Sequence, residues 1–138
     1  MGTWAVDAFG NDYAQDWAED LHETGNLDAV EDTLNTVLDS GAELEAPFAA
    51  EALVAAEVLA RLQGKGGART EDSAAVDEWV DARKAKPVKP RADLAEKAAR
   101  AIERVLAPDS ELRQLWEDSE HYADWRAAVE DLRSRLNS

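Results

Sequence analysis

Apolar residues recur along this chain at the spacing of one helix face, and no stretch alternates between apolar and polar positions as a strand does. The first such stripe follows Asn11, a good N-cap residue, and Gly25 suits the end of that helix. A second stripe runs from Leu27 to Leu38 and is closed by Gly41. The hydrophobic pattern therefore predicts helices throughout.

The third apolar stretch, from Phe48 to Leu62, is apolar nearly all round a helix. This pattern is typical of a helix that is buried on every side. Pro47 suits the first turn, where its missing N–H costs nothing, and glycines from Gly64 to Gly67 interrupt the chain afterwards. We predict that residues 47–63 form the central helix of the fold.

Further helices follow. We predict a fourth at about residues 70–83 and then a basic linker at 83–91, where two prolines stop helix formation. A fifth covers about residues 94–105. Ser110 opens a last helical region, whose two apolar stripes are out of phase, so we expect a break at 118–121. Four tryptophans fall at apolar helix positions and are expected in the core: Trp17, Trp79, Trp116 and Trp125.

Together these elements predict an all-α fold, a compact bundle of five or six helices around the buried third helix. Residues 1–138 form a single domain, and the first ten residues form an irregular N-terminal strap. A chain of 138 residues is long enough to bury a core of its own. It contains no cysteine, which excludes disulfides and thiolate metal sites.

Charge is distributed unevenly along the chain. Residues 1–60 carry 14 of the 30 acidic residues and no Lys or Arg, whereas all 15 basic residues lie from Arg61 onward. The formal net charge of the chain is -15 at pH 7. Such asymmetry can mark a surface that binds a basic partner. Acidity also aids solubility and can reflect amino-acid composition alone.

The first predicted helix carries the candidate interaction surface, which consists of Asp12, Asp16, Glu19 and Asp20. Asp12 and Asp16 are one turn apart, and like charges at this spacing cost roughly a few tenths of a kcal/mol. The sequence favours a non-enzymatic acidic binding protein, of the inhibitor or immunity type, for a basic protein. The alternatives are a metal-dependent enzyme and a structural domain whose acidity is compositional.

The metal hypothesis rests on the two histidines. Glu19 and His22 have the Glu-x-x-His spacing of carboxylate-bridged metal sites in helical bundles. His121 follows Asp118 at the same spacing, and Glu57 on the central helix would supply another carboxylate. Among 30 acidic residues, an acid three positions before a histidine is expected by chance, so a solvated histidine is the simpler interpretation.

Acid–base catalysis by Glu51 and Glu57 is the other enzymatic hypothesis, because burial raises the pKa of a carboxyl group. Their spacing places them about 120° apart around a helix, and Glu57 can instead pair with Arg61 one turn away. We find no nucleophile elbow, phosphate-binding loop or cofactor motif in the sequence. We therefore expect no cofactor.

Charge and hydropathy also bear on the other partners. The segment Arg83–Arg91 is basic, but it contains no aromatic residue, and the negative net charge opposes a polyanion, so we expect no nucleic-acid binding. The apolar stretch Phe48–Leu62 is too short and too charged to span a bilayer, so we expect no membrane binding. The N-terminus lacks the basic region of a signal peptide. We expect a cytoplasmic monomer or small homo-oligomer.

The most distinctive motif lies at the N-terminus: Gly2-Thr3-Trp4, then Phe9, then Asn11-Asp12 and Asp16-Trp17. It resembles the start of the bacterial family known as domain of unknown function 4259, whose members begin Met-Gly-Thr-Trp. Trp4 and Phe9 would anchor the strap, Asn11 would cap the first helix, and Trp17 would lie in the core.

The resemblance extends through Ala55-Ala56-Glu57-Val58 and Ser110-Glu111-Leu112 to Trp125-Arg126, and so covers most of the chain. Ala5, Ala8 and Gly10 depart from the family pattern. The resemblance implies a small, mainly helical cytoplasmic protein, and it implies no particular activity.

The metal hypothesis can be tested on the purified protein. Because the binding function is favoured, we expect less than about a tenth of an equivalent of any transition metal, and no thermal shift on adding metals, since a metal held by the folded state would stabilise it. Elemental analysis and thermal unfolding measure both. A stoichiometric metal would instead favour the site made from Glu19, His22, Glu57 and His121.

Overall fold

The computed structural model describes residues 12–21, 23, 27–41, 43–65, 73–85 and 92–137. They form seven helices: α1 (Asp12–Leu21), α2 (Asp28–Leu38), α3 (Ala46–Leu62), α4 (Ala74–Ala85), α5 (Ala92–Val105), α6 (Glu111–Glu117) and α7 (Tyr122–Asn137). No strand occurs in these ranges, so the all-α prediction is confirmed. None of the helices in the described ranges is long and apolar enough to cross a membrane.

The third helix is the centre of the bundle, as predicted. Every residue from Ala52 to Arg61 is buried, and α3 packs against each of the six other helices. Alanines occupy much of its surface, and their small side chains let neighbouring helix axes come close. Because so many helices share one central element, the hydrophobic core is continuous around α3.

The segment that leads into α3 is tied to the start of α6. The Leu44 N–H donates to the carbonyl of Asp109 at 3.2 Å, and the Glu111 N–H donates to the carbonyl of Leu44 at 2.8 Å. The Glu111 carboxylate accepts the Ala46 N–H at 2.8 Å. Glu45 provides no side-chain cap for α3, so Glu111, distant in sequence, satisfies a backbone donor at the N-terminus of the central helix.

The described residues form seven helices, whereas the sequence predicts five or six. The break expected at residues 118–121 is confirmed, but it divides the last region completely, with α6 ending at Glu117 and α7 beginning at Tyr122. The linker prediction is wrong at its start, because α4 continues to Ala85. Pro87 disfavours helix only at itself and the residue before it, so the helix continues to that point. Residues 86–91 lie outside the described ranges.

The tryptophan predictions are confirmed for Trp17, Trp79, Trp116 and Trp125, which are all buried. The rings of Trp116 and Trp125 stack with centroids 6.0 Å apart, which joins α6 to α7. Three large apolar side chains are exposed, and of these Phe48 belongs to the helix that the sequence predicts to be buried on every side: Tyr13, Phe48 and Leu115. The strap and its residues Trp4, Phe9 and Asn11 lie outside the described ranges.

A buried cluster of charged side chains joins three helices. Glu57 of α3 receives two hydrogen bonds from the guanidinium of Arg135 on α7, at 3.0 and 3.2 Å. Arg61 lies 3.8 Å from Glu57 and 3.5 Å from Asp77 of α4. The Ser73 hydroxyl donates to Asp77 at 2.7 Å. Glu57, Arg61 and Asp77 are nearly inaccessible to solvent, so their charges depend on one another.

Arg135 completes this cluster from the edge of the bundle. It also donates to the carbonyl of Lys65 at 2.9 Å and to Asp131 at 2.9 Å. Burial alone would lower the pKa of Arg135, but the hydrogen bonds and charges of Glu57 and Asp131 outweigh burial and raise it. The guanidinium therefore stays charged and binds α7 to α3.

Replacing Ala56 by leucine tests the close packing around α3. Ala56 is fully buried, so the larger side chain should lower the free energy of unfolding by about 1–3 kcal/mol through overpacking. Ala123→Leu on the exposed side of α7 is the control and should change it by less than about 0.5 kcal/mol. Urea unfolding measures both, and equal effects would contradict the central position of α3.

Replacing Glu57 by glutamine tests the buried cluster. It leaves two guanidinium groups short of a charge partner, so we expect a loss of about 2–4 kcal/mol in the free energy of unfolding. Glu130→Gln breaks the exposed pair with Arg126 and should cost less than about 0.5 kcal/mol. A loss for Glu57→Gln as small as that of Glu130→Gln would show that the cluster does not stabilise the fold.

Candidate functional site

The four candidate acids of α1 lie on the outer side of the helix. Successive residues are about 100° apart, which places Asp12, Asp16 and Glu19 on one stripe. Asp20 lies at its edge. All four are exposed. The buried residues of the helix form the opposite side: Ala14, Trp17, Ala18 and Leu21. α1 therefore packs by one face and presents an acidic stripe with the other.

The second helix extends this acidic surface. Asp28, Asp32 and Asp39 fall on one side of α2 and are exposed, while Val30, Leu34 and Val37 are buried. The Trp17 indole N–H donates to the Thr33 hydroxyl at 2.8 Å, which fixes α1 against α2. We call the outer sides of these two helices the acidic face: Asp12, Asp16, Glu19, Asp20, Asp28, Asp32 and Asp39.

Positive charge is scarce around the acidic face. Within the described residues, no basic nitrogen lies within 4.0 Å of the carboxylates of Asp16, Glu19, Asp20 or Asp32. α2 is reached by Lys97 of α5, which pairs with Glu31 at 3.3 Å. The carboxylates of the α1 stripe are thus balanced by solvent alone among these residues.

The C-terminal part of the bundle, formed by α5, α6 and α7, has a different charge arrangement. Its exposed acids mostly have an arginine within ion-pair distance, commonly one turn away on the same helix. The pairs are Glu96–Arg100, Asp109–Arg104, Glu117–Arg113, Glu130–Arg126, Asp131–Arg135 and Glu103–Arg133. Within α5, α6 and α7 themselves, positive and negative residues therefore nearly balance, whereas α1 and α2 carry acidic residues and no basic ones.

The helix ends show the same division. α3, α5 and α7 each have an arginine in the last turn, namely Arg61, Arg104 and Arg135, which the helix dipole favours. α1 has no basic residue there and carries Glu19 and Asp20 instead. Carboxylates at a helix C-terminus are unfavourable by about 0.3–1 kcal/mol. These acids therefore do not serve the stability of their own helix.

A pocket of about 130 Å³ lies between α2 and α3 at the border of the acidic face. It is lined by Asp32, Thr33 and Thr36 of α2 and by Phe48 and Glu51 of α3. The Phe48 side chain is 41% exposed. Glu51 is half-buried rather than fully buried like Glu57. The pocket combines an aromatic wall, hydroxyl groups and two carboxylates.

The surroundings of Glu51 disfavour the negatively charged form of its carboxyl group. Partial burial raises the pKa of Glu51, and the nearby carboxylate of Asp20 raises it further. No basic group within the described residues pairs with Glu51. A cation placed in the pocket would reverse both effects, since it would neutralise the carboxylate and replace the lost solvent contact.

The candidate metal ligands lie in three different environments. Glu19 is on the exposed stripe of α1, Glu57 is in the buried cluster with its two arginines, and His121 is exposed in the α6–α7 turn, 4.0 Å from Asp124. His22 lies outside the described ranges. No three His, Cys, Asp or Glu residues within those ranges come together to hold a metal ion. The metal site stays a prediction for elemental analysis.

Sequence reasoning missed the pocket and half of the buried cluster. Phe48 was expected inside the core, because α3 is apolar nearly all round, but its side chain is 41% exposed. Arg61 and Glu57 were expected to pair, and they do, but Asp77 and Arg135 join them from distant helices. The sequence did offer one indication for Arg135, namely its position at the edge of an apolar stripe near the C-terminus of its helix.

No curated protein and no solved structure matches this chain. It does match the family described as Domain of unknown function (DUF4259) over residues 2–128. The matched range contains α1 to α6 and the first part of α7, and also the N-terminal motif with Trp4, Phe9 and Asn11. Because this range covers nearly the whole chain, the protein belongs to the DUF4259 family.

Proposed function

We propose that this protein is a non-enzymatic binding protein whose acidic face docks a basic protein, in the manner of an inhibitor or immunity factor. The observation that carries the proposal is the contrast between α1 and the C-terminal helices. Most exposed acids on α5, α6 and α7 have arginine partners, whereas those of the α1 stripe have none among the described residues. Such a surface attracts and orients a positively charged partner.

The energetics of α1 support the same function. The carboxylates of Asp12, Asp16 and Glu19 repel one another along one stripe, and Glu19 and Asp20 lie where the helix dipole disfavours them. No contact among the described residues offsets these costs. A basic partner would do so, because it would bring positive charge to within a Debye length of about 8 Å at physiological ionic strength. Binding would therefore relieve repulsion that the free protein carries.

The rival explanation is that the acidity only reflects amino-acid composition, and it predicts a different distribution of charge over the surface. A chain that is acidic only for solubility gains from negative charge anywhere on its surface. Here, most exposed acids of α5, α6 and α7 have a nearby arginine, whereas α1 and α2 carry acidic residues and no basic ones. We further propose that the protein is cytoplasmic, a location that the absence of cysteine supports. We also propose that it is a monomer or small homo-oligomer.

Charge reversal on the acidic face tests the proposal. We expect Asp16→Lys/Glu19→Lys to abolish the capture of a basic protein from a lysate of the source organism, identified by mass spectrometry. Both side chains are exposed, so the variant should fold. Capture by the unaltered protein should weaken steeply as salt is raised, because the attraction is screened.

The matched control is Asp118→Lys/Glu120→Lys, which changes the net charge equally at two exposed positions between α6 and α7. It should retain the captured protein. If the two double variants lose it equally, net charge rather than the acidic face is responsible. If the captured protein is acidic, or if neither variant alters capture, the proposed function is wrong.

A further inference from the structure

The pocket between α2 and α3 contains a feature that neither the fold nor the overall acidity requires. Phe48 lies in the first turn of α3 and leaves a large part of its ring exposed. The following turn of the same helix places Glu51 beside it, and both line the pocket. An exposed aromatic ring beside a carboxylate is a combination that binds cations, since the ring face is electron-rich.

The opposite wall has complementary hydrogen-bonding groups. Asp32 supplies a carboxylate, and Thr33 and Thr36 supply hydroxyl groups, of which Thr33 already accepts the Trp17 indole N–H. The volume of about 130 Å³ is some ten times the roughly 10–15 Å³ that one water requires. The pocket therefore has room for the planar head group of a side chain, with acceptors on both sides of it.

We propose that this pocket receives an arginine side chain of the basic partner, with the guanidinium stacked on Phe48 and its N–H groups donating to Glu51 and Asp32. The inference rests on the proposed function, since it names the residue type by which the partner is held. The acidic face attracts the partner over a distance, and the pocket fixes one of its side chains in place.

Arginine fits this pocket better than the other cations. Its guanidinium is flat and stacks on an aromatic ring, and its five N–H donors can reach two carboxylates at once. A lysine ammonium is a compact, strongly hydrated charge that would leave part of the pocket unfilled. A divalent metal ion requires several oxygen ligands at short range, and no such group occurs among the described residues.

The test uses the full chain, isotopically labelled, and the small probe N-acetyl-arginine amide. We expect binding on the order of millimolar Kd, as suits a fragment of an interface, with NMR shifts concentrated at Thr33, Thr36, Phe48 and Glu51. N-acetyl-lysine amide carries the same charge and should bind more weakly, with smaller shifts at these residues. Equal shifts from both probes, or no shifts in the pocket, would overturn the assignment.

Variants separate the ring from the charge. Phe48→Leu keeps an apolar side chain but removes the ring face, and it should weaken arginine binding roughly two- to fivefold. Glu51→Gln removes the charge at nearly unchanged shape and should weaken it roughly two- to fivefold. The control Glu120→Gln removes one exposed charge far along the sequence and should leave binding unchanged. Equal weakening by Glu51→Gln and Glu120→Gln would reduce the effect to net charge and contradict the pocket. Unchanged binding by Phe48→Leu would contradict stacking on the ring.

The failure of this inference and that of the proposed function are distinguishable. If Asp16→Lys/Glu19→Lys abolishes capture of a basic protein while the arginine probe causes no shift in the pocket, the acidic face stands and the pocket is wrong. If the probe binds in the pocket while capture is unaffected by that double variant, the pocket stands and the acidic face is wrong.

Discussion

Close packing around α3 is the constraint on which the rest of the structure depends. Six helices contact this one element, and there is space for them because most of its side chains are small. The same crowding leaves no solvent for the charges that α3 carries near its end. Glu57 and Arg61 can be present only because Arg135 and Asp77 reach them from α7 and α4. Packing thus determines which charges must be paired.

Local features of the structure could be predicted from the sequence, because their causes are local. The all-round apolar pattern predicted α3, and the phase change between two stripes predicted the break before Tyr122. Features that depend on tertiary contacts could not be predicted. The exposure of Phe48 depends on how the other helices pack around the first turn of α3, and no neighbouring residue signals this. The Glu57–Arg135 pair joins residues that are distant in sequence, so no spacing rule applies.

The candidate site divides in the same way. The acids of α1 could be named from the sequence, and their position opposite Trp17 and Leu21 follows from the helical period. What the sequence could not supply is the pairing of the other acids. Arginines occur only from Arg61 onward, but whether they fold back onto α1 and α2 or pair among themselves depends on the packing. Within the described residues most of them pair among α3 to α7, and Lys97 reaches α2.

The charges that stabilise the fold and the charges of the acidic face are therefore separate groups. The buried charges of α3, α4 and α7 are mutually satisfied, so a change in any one of them alters folding. The acidic face lies on the sides of α1 and α2 opposite their buried stripes, so its charges can change with little effect on the core. A basic partner of the proposed kind could therefore change without redesign of the bundle. Phe48 and Glu51 lie on the central helix but are open to solvent, and this position would give the proposed arginine side chain a rigid support.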